Sequence, residues 1–294
     1  MATLRELKGR IGSVASSEKI TGAMKMISSA KMHKAEGALR RLKPYRSTIE
    51  SIIGNLLTAD ATFTSPLAEP RAVERLTVVV LGSDDGLCGA YNANLVKYLD
   101  ERLAGMRDKY GANLHITIIP VGKKMAKAVS RLSGPGTAIE IPEVNSKSEG
   151  DDVKAFQAKL VEAFATKKTD AVDVVYMNYK SAGRQVPALD RILPLSPDVF
   201  EGEGVKPSAR PYIFEPDAQT IFSTVLPMYI LSLVQEVFVE NRASEQAARV
   251  MAMQSANDNA KKLLDQLRLE YNKLRQASIT TELLDIVGGQ VREQ

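Results

Sequence analysis

The one segment of this chain shaped like a ligand-binding turn is Gly82-Ser-Asp-Asp-Gly-Leu-Cys-Gly89. It follows an apolar run, Leu76-Thr-Val-Val-Val-Leu81, and precedes a helical pattern from Asn92 to Met106. A glycine-rich turn between strand and helix holds phosphate when free N–H groups and a cation converge on it. This turn is not G-x-G-x-x-G and lacks a closing Gly-Lys-Ser/Thr. It also carries Asp84 and Asp85 where an anion would sit. The plain reading is an architectural turn. Cys88 is the single cysteine, which excludes an intrachain disulfide and a cysteine-built zinc site. No histidine or cation near it in sequence would activate the thiol, so inert packing is expected. His33 has no His or Cys at helical spacing and reads as a solvated surface residue; His115 opens a strand. No Ser/His/Asp arrangement can be assigned. Catalytic, cofactor-binding and metal residues are therefore all expected to be absent.

Two long helical patterns frame this turn. Thr3-Leu-Arg-Glu6 fits a capping box, in which hydroxyl and carboxylate satisfy free N–H groups at a helix start. Apolar residues follow at Leu4, Leu7, Ile11 and Val14, slip at Ser16-Ser17, and resume at Ile20, Ala23 or Met24, Ile27 and Ala30. A second slip leads through Ala35, Ala38, Leu42, Tyr45, Ile49, Ile52 and Leu56. Such slips in a period of about 3.5 residues are stutters. The pattern predicts a helix over residues 3–57, about 80 Å long, kinked or short of a hydrogen bond at Pro44. At the other end, Asp217 is the expected N-cap. Ile221, Val225, Ile230, Leu233, Val237, Ala247, Met251, Leu263, Leu267, Tyr271, Leu274, Leu283 and Ile286 then recur at helical spacing, and Gly288-Gly289 is the expected stop. That predicts a helix over 218–287, on the order of 100 Å long. Two such stripes bury each other most simply as an antiparallel coiled coil, with part of the longer C-terminal helix projecting beyond its partner.

Between them strands and helices alternate. Strands are expected at Leu76–Leu81, His115–Ile119, Ala138–Ile141, Ala171–Tyr179 and Val186–Leu195. Helices are expected at Asn92–Met106, Lys123–Leu132 and Asp151–Ala165. The fold class is therefore α/β: a Rossmann-like central domain with a mostly parallel sheet, carried on the coiled coil. The expected division is residues 1–58 and 210–290 for the two coiled-coil helices and 70–200 for the central domain. The proline- and glycine-bearing stretch from Pro194 to Pro216 reads as a linker.

Charge is uneven. The formal net charge is +4, yet residues 1–58 alone hold eleven basic and four acidic side chains. Lys19, Lys25, Lys31, Lys34, Arg40, Arg41, Lys43 and Arg46 give a basic arm, which admits a nucleic-acid reading. Little aromatic surface is interleaved and the cations spread around the helix, so a solvated or protein-contacting face is favoured. The most apolar stretch, Val225 to Val234, contains Pro227 and Ser232 and falls short of the ~20 residues that span a bilayer. The first twenty residues contain no secretory apolar region. The chain is expected to be soluble, or peripheral to a membrane through partners. Gly22–Ala30 and Ala243–Ala260 combine small, polar and methionine residues. They read either as tight helix contact or as a shaft surface making shifting contacts with a surrounding partner.

Four blocks carry a family resemblance. Lys19-Ile-Thr-Gly-Ala-Met-Lys-Met26 with Ser29-Ala-Lys-Met32, the Gly82–Gly89 turn, Ala243-Ser-Glu-Gln-Ala-Ala-Arg249, and Ile279-Thr-Thr-Glu-Leu-Leu-Asp-Ile-Val-Gly-Gly289 resemble, in order, the F-type ATP synthase gamma subunit. The resemblance is to the bacterial, proteobacterial-like form. It implies a central rotor shaft that transmits torque between a proton-driven c-ring and a catalytic alpha/beta ring. The implied partners are the alpha and beta subunits, the epsilon subunit and the c-ring, with no nucleic acid. The implied location is the cytoplasmic face of the bacterial inner membrane, reached only through the complex. Nucleotide chemistry would belong to the partners. By position, Met24 matches a shaft methionine facing an acidic beta-subunit loop. Arg249, Arg275, Gln276, Thr280 and Glu282 match positions coupling the C-terminal helix to the ring. Lys25 falls at a variable position, and Asp85 replaces a usual basic residue. No Cys-containing insertion suggests a chloroplast-type thiol switch, and the lack of a targeting peptide favours a bacterial source. The alternatives are a non-rotary adaptor and a nucleic-acid-binding α/β module with a coiled-coil arm.

Overall fold

A computed structural model describes residues 3–57, 64–111, 113–196 and 214–290, with side chains described through 284. Most of the expected linker, residues 197–213, lies outside the described residues. The chain divides into two compact units, one of Ser29–Ala248 and one of Met1–Ser28 with Arg249–Gln294.

The larger unit is built on a sheet ordered β3-β2-β1-β4-β5. Its strands are β1 (Arg75–Leu81), β2 (His115–Val121), β3 (Thr137–Ile139), β4 (Ala171–Ser181) and β5 (Arg184–Leu193). The first four run parallel and β5 returns antiparallel beside β4. The helices of this unit are α2 (Tyr91–Tyr110), α3 (Lys123–Val129) and α4 (Asp151–Ala165). The expected helix Lys123–Leu132 finishes as a separate 3-10 turn at Ser130–Leu132. The side chains of β1 alternate between two cores, as a pleated strand requires. Val79 and Leu81 join α4 and the long helices on one face. Leu76, Val78 and Val80 join α2 and α3 on the other. A strand covered on both faces reads as a near-continuous apolar run, which is why Leu76–Leu81 shows no alternation; its one polar residue, Thr77, is buried and bonded to Thr169.

The long helices are α1 (Leu4–Leu57) and α5 (Ala218–Gln290). α1 continues through Pro44 and α5 through Pro227. Within the larger unit they run antiparallel. Leu39 of α1 clusters with Ala243 of α5, Arg46 reaches Glu236 at 2.6 Å, and Tyr229 reaches Glu50 at 3.3 Å. Partners thus fall in number on α5 as they rise on α1. The α5 start is capped as expected: Asp217 Oδ1 accepts from the Thr220 N–H at 2.8 Å. We predict that Asp217→Ala costs about 1 kcal/mol, seen as a lower urea midpoint with an unchanged m-value.

Two expectations about α5 are corrected. Gly288-Gly289 does not end the helix, which runs to Gln290. Nor is its apolar content limited to Val225–Val234: an eighteen-residue window reaches mean hydropathy 1.6, with half of it buried. Phe222, Leu226, Tyr229, Ile230, Val234 and Phe238 pack into the sheet core, and the buried carboxyls Glu236 and Glu240 lie in the same stretch. The apolarity is that of a core helix.

In the smaller unit the capping box forms as expected. The Thr3 N–H donates to Glu6 Oε2 at 2.8 Å and the Glu6 N–H to Thr3 Oγ1 at 3.2 Å. Asn257 Nδ2 donates to the Glu18 carbonyl at 2.7 Å, holding α5 against α1. A Cβ on Gly22 would stand 3.3 Å from that nitrogen, so the small residue permits the approach. The seam on α5 runs through Met253, Asn257, Leu264 and Leu267, all buried. Met251 and Leu263, expected on the seam, face outward.

Candidate functional site

The Gly82–Gly89 turn is held from within. A Cβ at Gly82 would lie 2.5 Å from Met125 Cβ, and one at Gly122 (φ +109°) 2.8 Å from the Ser83 carbonyl oxygen, so both glycines serve close approach. Asp84 Oδ1 accepts from the Lys123 N–H at 2.9 Å, and Oδ2 accepts from the Ser146 N–H at 3.0 Å and the Ser146 hydroxyl at 2.8 Å. Asp85 pairs with Lys147 at 2.9 Å. The acidic residues thus tie the turn to neighbouring segments, and Cys88 is buried beneath it. Among the described residues no group of three or more His, Cys, Asp or Glu is placed to hold a metal.

In a doubly wound sheet, ligands settle outside the carboxyl ends of the strands where the strand order reverses. Here the reversal lies between β1 and β4. That crevice is occupied by α5 itself. Asn241 Nδ2 donates to the Gly82 carbonyl at 3.0 Å, and the Tyr91 hydroxyl reaches Asn241 Oδ1 at 2.6 Å. Ser244 Oγ donates to the Met177 carbonyl of β4 at 2.8 Å. Tyr91, Asn241 and Ser244 are all buried. Sequence reasoning missed this lock. The available signal was the polar run Glu240-Asn-Arg-Ala-Ser-Glu-Gln246 inside a helix whose flanks are apolar. The run is buried at Ala243, Ser244, Glu245 and Gln246. The shaft-surface reading of Ala243–Ala260 therefore fails over its first part, where the small residues make close internal contact.

The outward surface lies elsewhere. In the smaller unit Ile20 is 59% and Ile27 56% exposed, with half-buried Met24 between them. Residues 20, 24 and 27 share one helix face. The seam expected through Ile20, Ile27 and Ala30 is thus corrected: these residues point away from α5, and burial on α1 falls on Leu7 and Ser28. On α5, Leu269, Ile279, Leu283 and Leu284 are also exposed. Arg275, Gln276, Thr280 and Glu282 are exposed among them, whereas Arg249 is 5% exposed and interacts internally. Lys25, beside Met24, is half-buried. Met24 and the four exposed α5 positions belong to the same compact unit. His33 is on the surface as expected, its Nδ1 2.9 Å from Glu36 Oε2.

Comparison with known proteins bears on this arrangement. A family model described as ATP synthase matches residues 3–291. The ATP synthase gamma chain of Bacteroides fragilis is 39% identical over 290 residues, covering 98% of this chain and 99% of the relative. This chain belongs to the ATP synthase gamma-chain family. The gamma chain of Polynucleobacter asymbioticus is 35% identical, covering 98% of this chain and 99% of the relative. Among solved structures, a chain of the Euglena gracilis mitochondrial ATP synthase OSCP/F1/c-ring assembly aligns with TM-score 0.67 at 24% identity, covering 99% of this chain and 94% of that one. The family match runs through both long helices and the sheet, so the two readings as an adaptor or nucleic-acid module are not favoured.

Proposed function

We propose that this chain is the central rotor shaft of an F-type ATP synthase, with the c-ring and epsilon subunit at one end and the alpha/beta ring around the other. It carries torque between proton flow and nucleotide chemistry performed by its partners, and has no catalytic site of its own. The observation that carries this reading is the outward apolar surface of the smaller unit. Large apolar side chains on a paired-helix surface mark a protein contact. Met24 and, on α5, Arg275, Gln276, Thr280 and Glu282 are the positions assigned to the ring, joined by the exposed Ile20 and Ile27, while Arg249, expected among them, is buried and acts within the fold. Methionine suits a contact that changes as its surroundings change, because its side chain is unbranched and polarizable. Lys19, exposed on α1 in the same unit, then faces acidic loops of the ring. The complex works at the cytoplasmic face of a bacterial inner membrane, and this chain reaches the membrane only through its partners.

Two measurements test the proposal. The native mass of the complex isolated through this chain should show one copy per three alpha and three beta subunits. Met24→Lys should leave assembly and most ATP hydrolysis intact while ATP-driven proton pumping falls by about tenfold or more, the rate equivalent of ~1.4 kcal/mol. Equal losses of assembly, hydrolysis and pumping would show that Met24 serves folding and not coupling.

A further inference from the structure

Beside the crevice filled by α5 lies an open cleft of about 520 Å³, bounded by α1, the 146–150 segment, the start of α4 and α5. Lys31, Lys34, Ala38 and Arg41 all line it, a spacing that puts them on one face of α1. Across the cleft stand Lys147 and Arg242. Three carboxylates also line it: Asp85 pairs with Lys147, Glu149 pairs with Arg242, and Glu245 interacts within the fold. Lys31, Lys34 and Arg41 have no such partner among the described residues. Arg242 is anchored at the cleft edge by Glu149 and by the Ser148 carbonyl at 2.9 Å. The floor is apolar, formed by the partly exposed Ala38, Leu42 and Val239.

Cations without counter-charges around a cleft with low-dielectric walls concentrate anions. An apolar floor beneath them selects an anion that carries an apolar body. The position is also one that this fold class uses for ligands, outside the carboxyl end of β1. We propose that this cleft binds a small organic anion, a phosphate or carboxylate head joined to an apolar body. The head lies between the α1 cations and Arg242, and the body lies on Leu42 and Val239. An occupant would tie α1 to the 146–150 segment and to α5, so the site is a place where a metabolite can stiffen the larger unit. Nothing in the rotor role requires it.

The test is calorimetric titration of the purified full chain with three probes: adenosine monophosphate, octanoate and inorganic phosphate. Saturable binding of the nucleotide or of octanoate is expected, the one that binds identifying the head group. Inorganic phosphate should bind at least about tenfold more weakly, because it lacks the body. The double variant Lys34→Gln/Arg41→Gln, both at exposed positions, should weaken binding by about tenfold or more. Ala38→Trp should remove it by filling the cleft. Thermal melting of each variant confirms that it is folded. No saturable heat from either organic probe up to about 10 mM overturns the proposal. So does phosphate binding as tightly as the organic probes, or binding that survives both variants.

Discussion

Arg191→Ala is expected to lower the unfolding free energy by about 3 kcal/mol, the low end of the range for leaving a buried charge unpaired, because the Arg191 side chain is itself a third exposed. Asp173 on β4 is 1% exposed, and its carboxylate is gripped by Arg191 on β5. Arg191 Nε donates to Oδ1, and Nη2 donates to Oδ2 at 3.2 Å and to the Tyr110 hydroxyl at 3.2 Å. Burial pushes the Asp173 carboxyl above its ordinary range, and the guanidinium opposes that rise. Without Arg191 the carboxylate would be left in the sheet with no cation bonded to it, or would take up a proton. Urea unfolding should show the loss, and adding Asp173→Asn should recover a large part of it. An Arg191→Ala loss below about 1 kcal/mol, the range of exposed pairs, would mean that solvent reaches Asp173 and that the pair is not structurally important. The pair joins β4 to the antiparallel edge strand, so the β4–β5 hairpin should be the first part to lose hydrogen-exchange protection in the variant.

The second large effect depends on pH. Glu240 of α5 is 8% exposed and its Oε2 is buried without a hydrogen-bond partner. It lines a cavity of about 770 Å³ between α1, the β4–β5 hairpin and α5. Burial, with repulsion from Glu236 one turn away, pushes its carboxyl up to about 7, while Lys43 and Lys180 pull it down. In the unfolded chain the same group titrates near 4.5. Between these values the folded chain holds a proton that the unfolded chain has released. The unfolding free energy therefore falls as pH rises through this window, and the penalty is complete above it. The difference corresponds to about 3 kcal/mol. Glu240→Gln should flatten the slope between about pH 5 and 7 and raise stability at about pH 8. A variant with the parent's slope would sink this account and place the pH dependence on another group.

Much of the architecture could be read from residue types and spacing. The capping box at Thr3 and Glu6 and the cap at Asp217 are local devices, and both form as written in the chain. The β1 run and the βαβ alternation are strong because a doubly covered strand leaves little room for polar residues, and its one buried hydroxyl, Thr77, is bonded to Thr169. What periodicity does not distinguish is a stripe facing a helix of the same chain from a stripe facing another protein. Ile20 and Ile27 have ordinary coiled-coil spacing, yet they point outward with Met24 half-buried between them, while the polar Ser28 is buried and Asn257 takes the seam. The buried polar run at 240–246 was hidden for a related reason. Its hydrogen bonds go to Gly82, Tyr91 and Met177, more than sixty residues away, and no local rule reports on partners at that distance. Gly288-Gly289 is the opposite case, a local stop signal that the helix overrides. Asp85 and Lys147 likewise find each other only after folding, so the departure from a basic residue at 85 had no visible compensation in the linear chain.

The seating of α5 in the sheet crevice has a mechanical consequence. A helix that lies on a sheet through apolar contacts alone can roll, because such contacts are non-directional. Here Asn241 and Ser244 engage carbonyls of β1's following turn and of β4, and Tyr91 closes on Asn241 from α2. These act like the teeth of a spline. Turning α5 by one residue, about 100°, would disengage all three in a buried site, at about 1–3 kcal/mol for each group left unpaired. Slip between helix and sheet therefore meets a stepped barrier, and a twist applied to α5 within this unit is passed to the sheet as rotation of a single body.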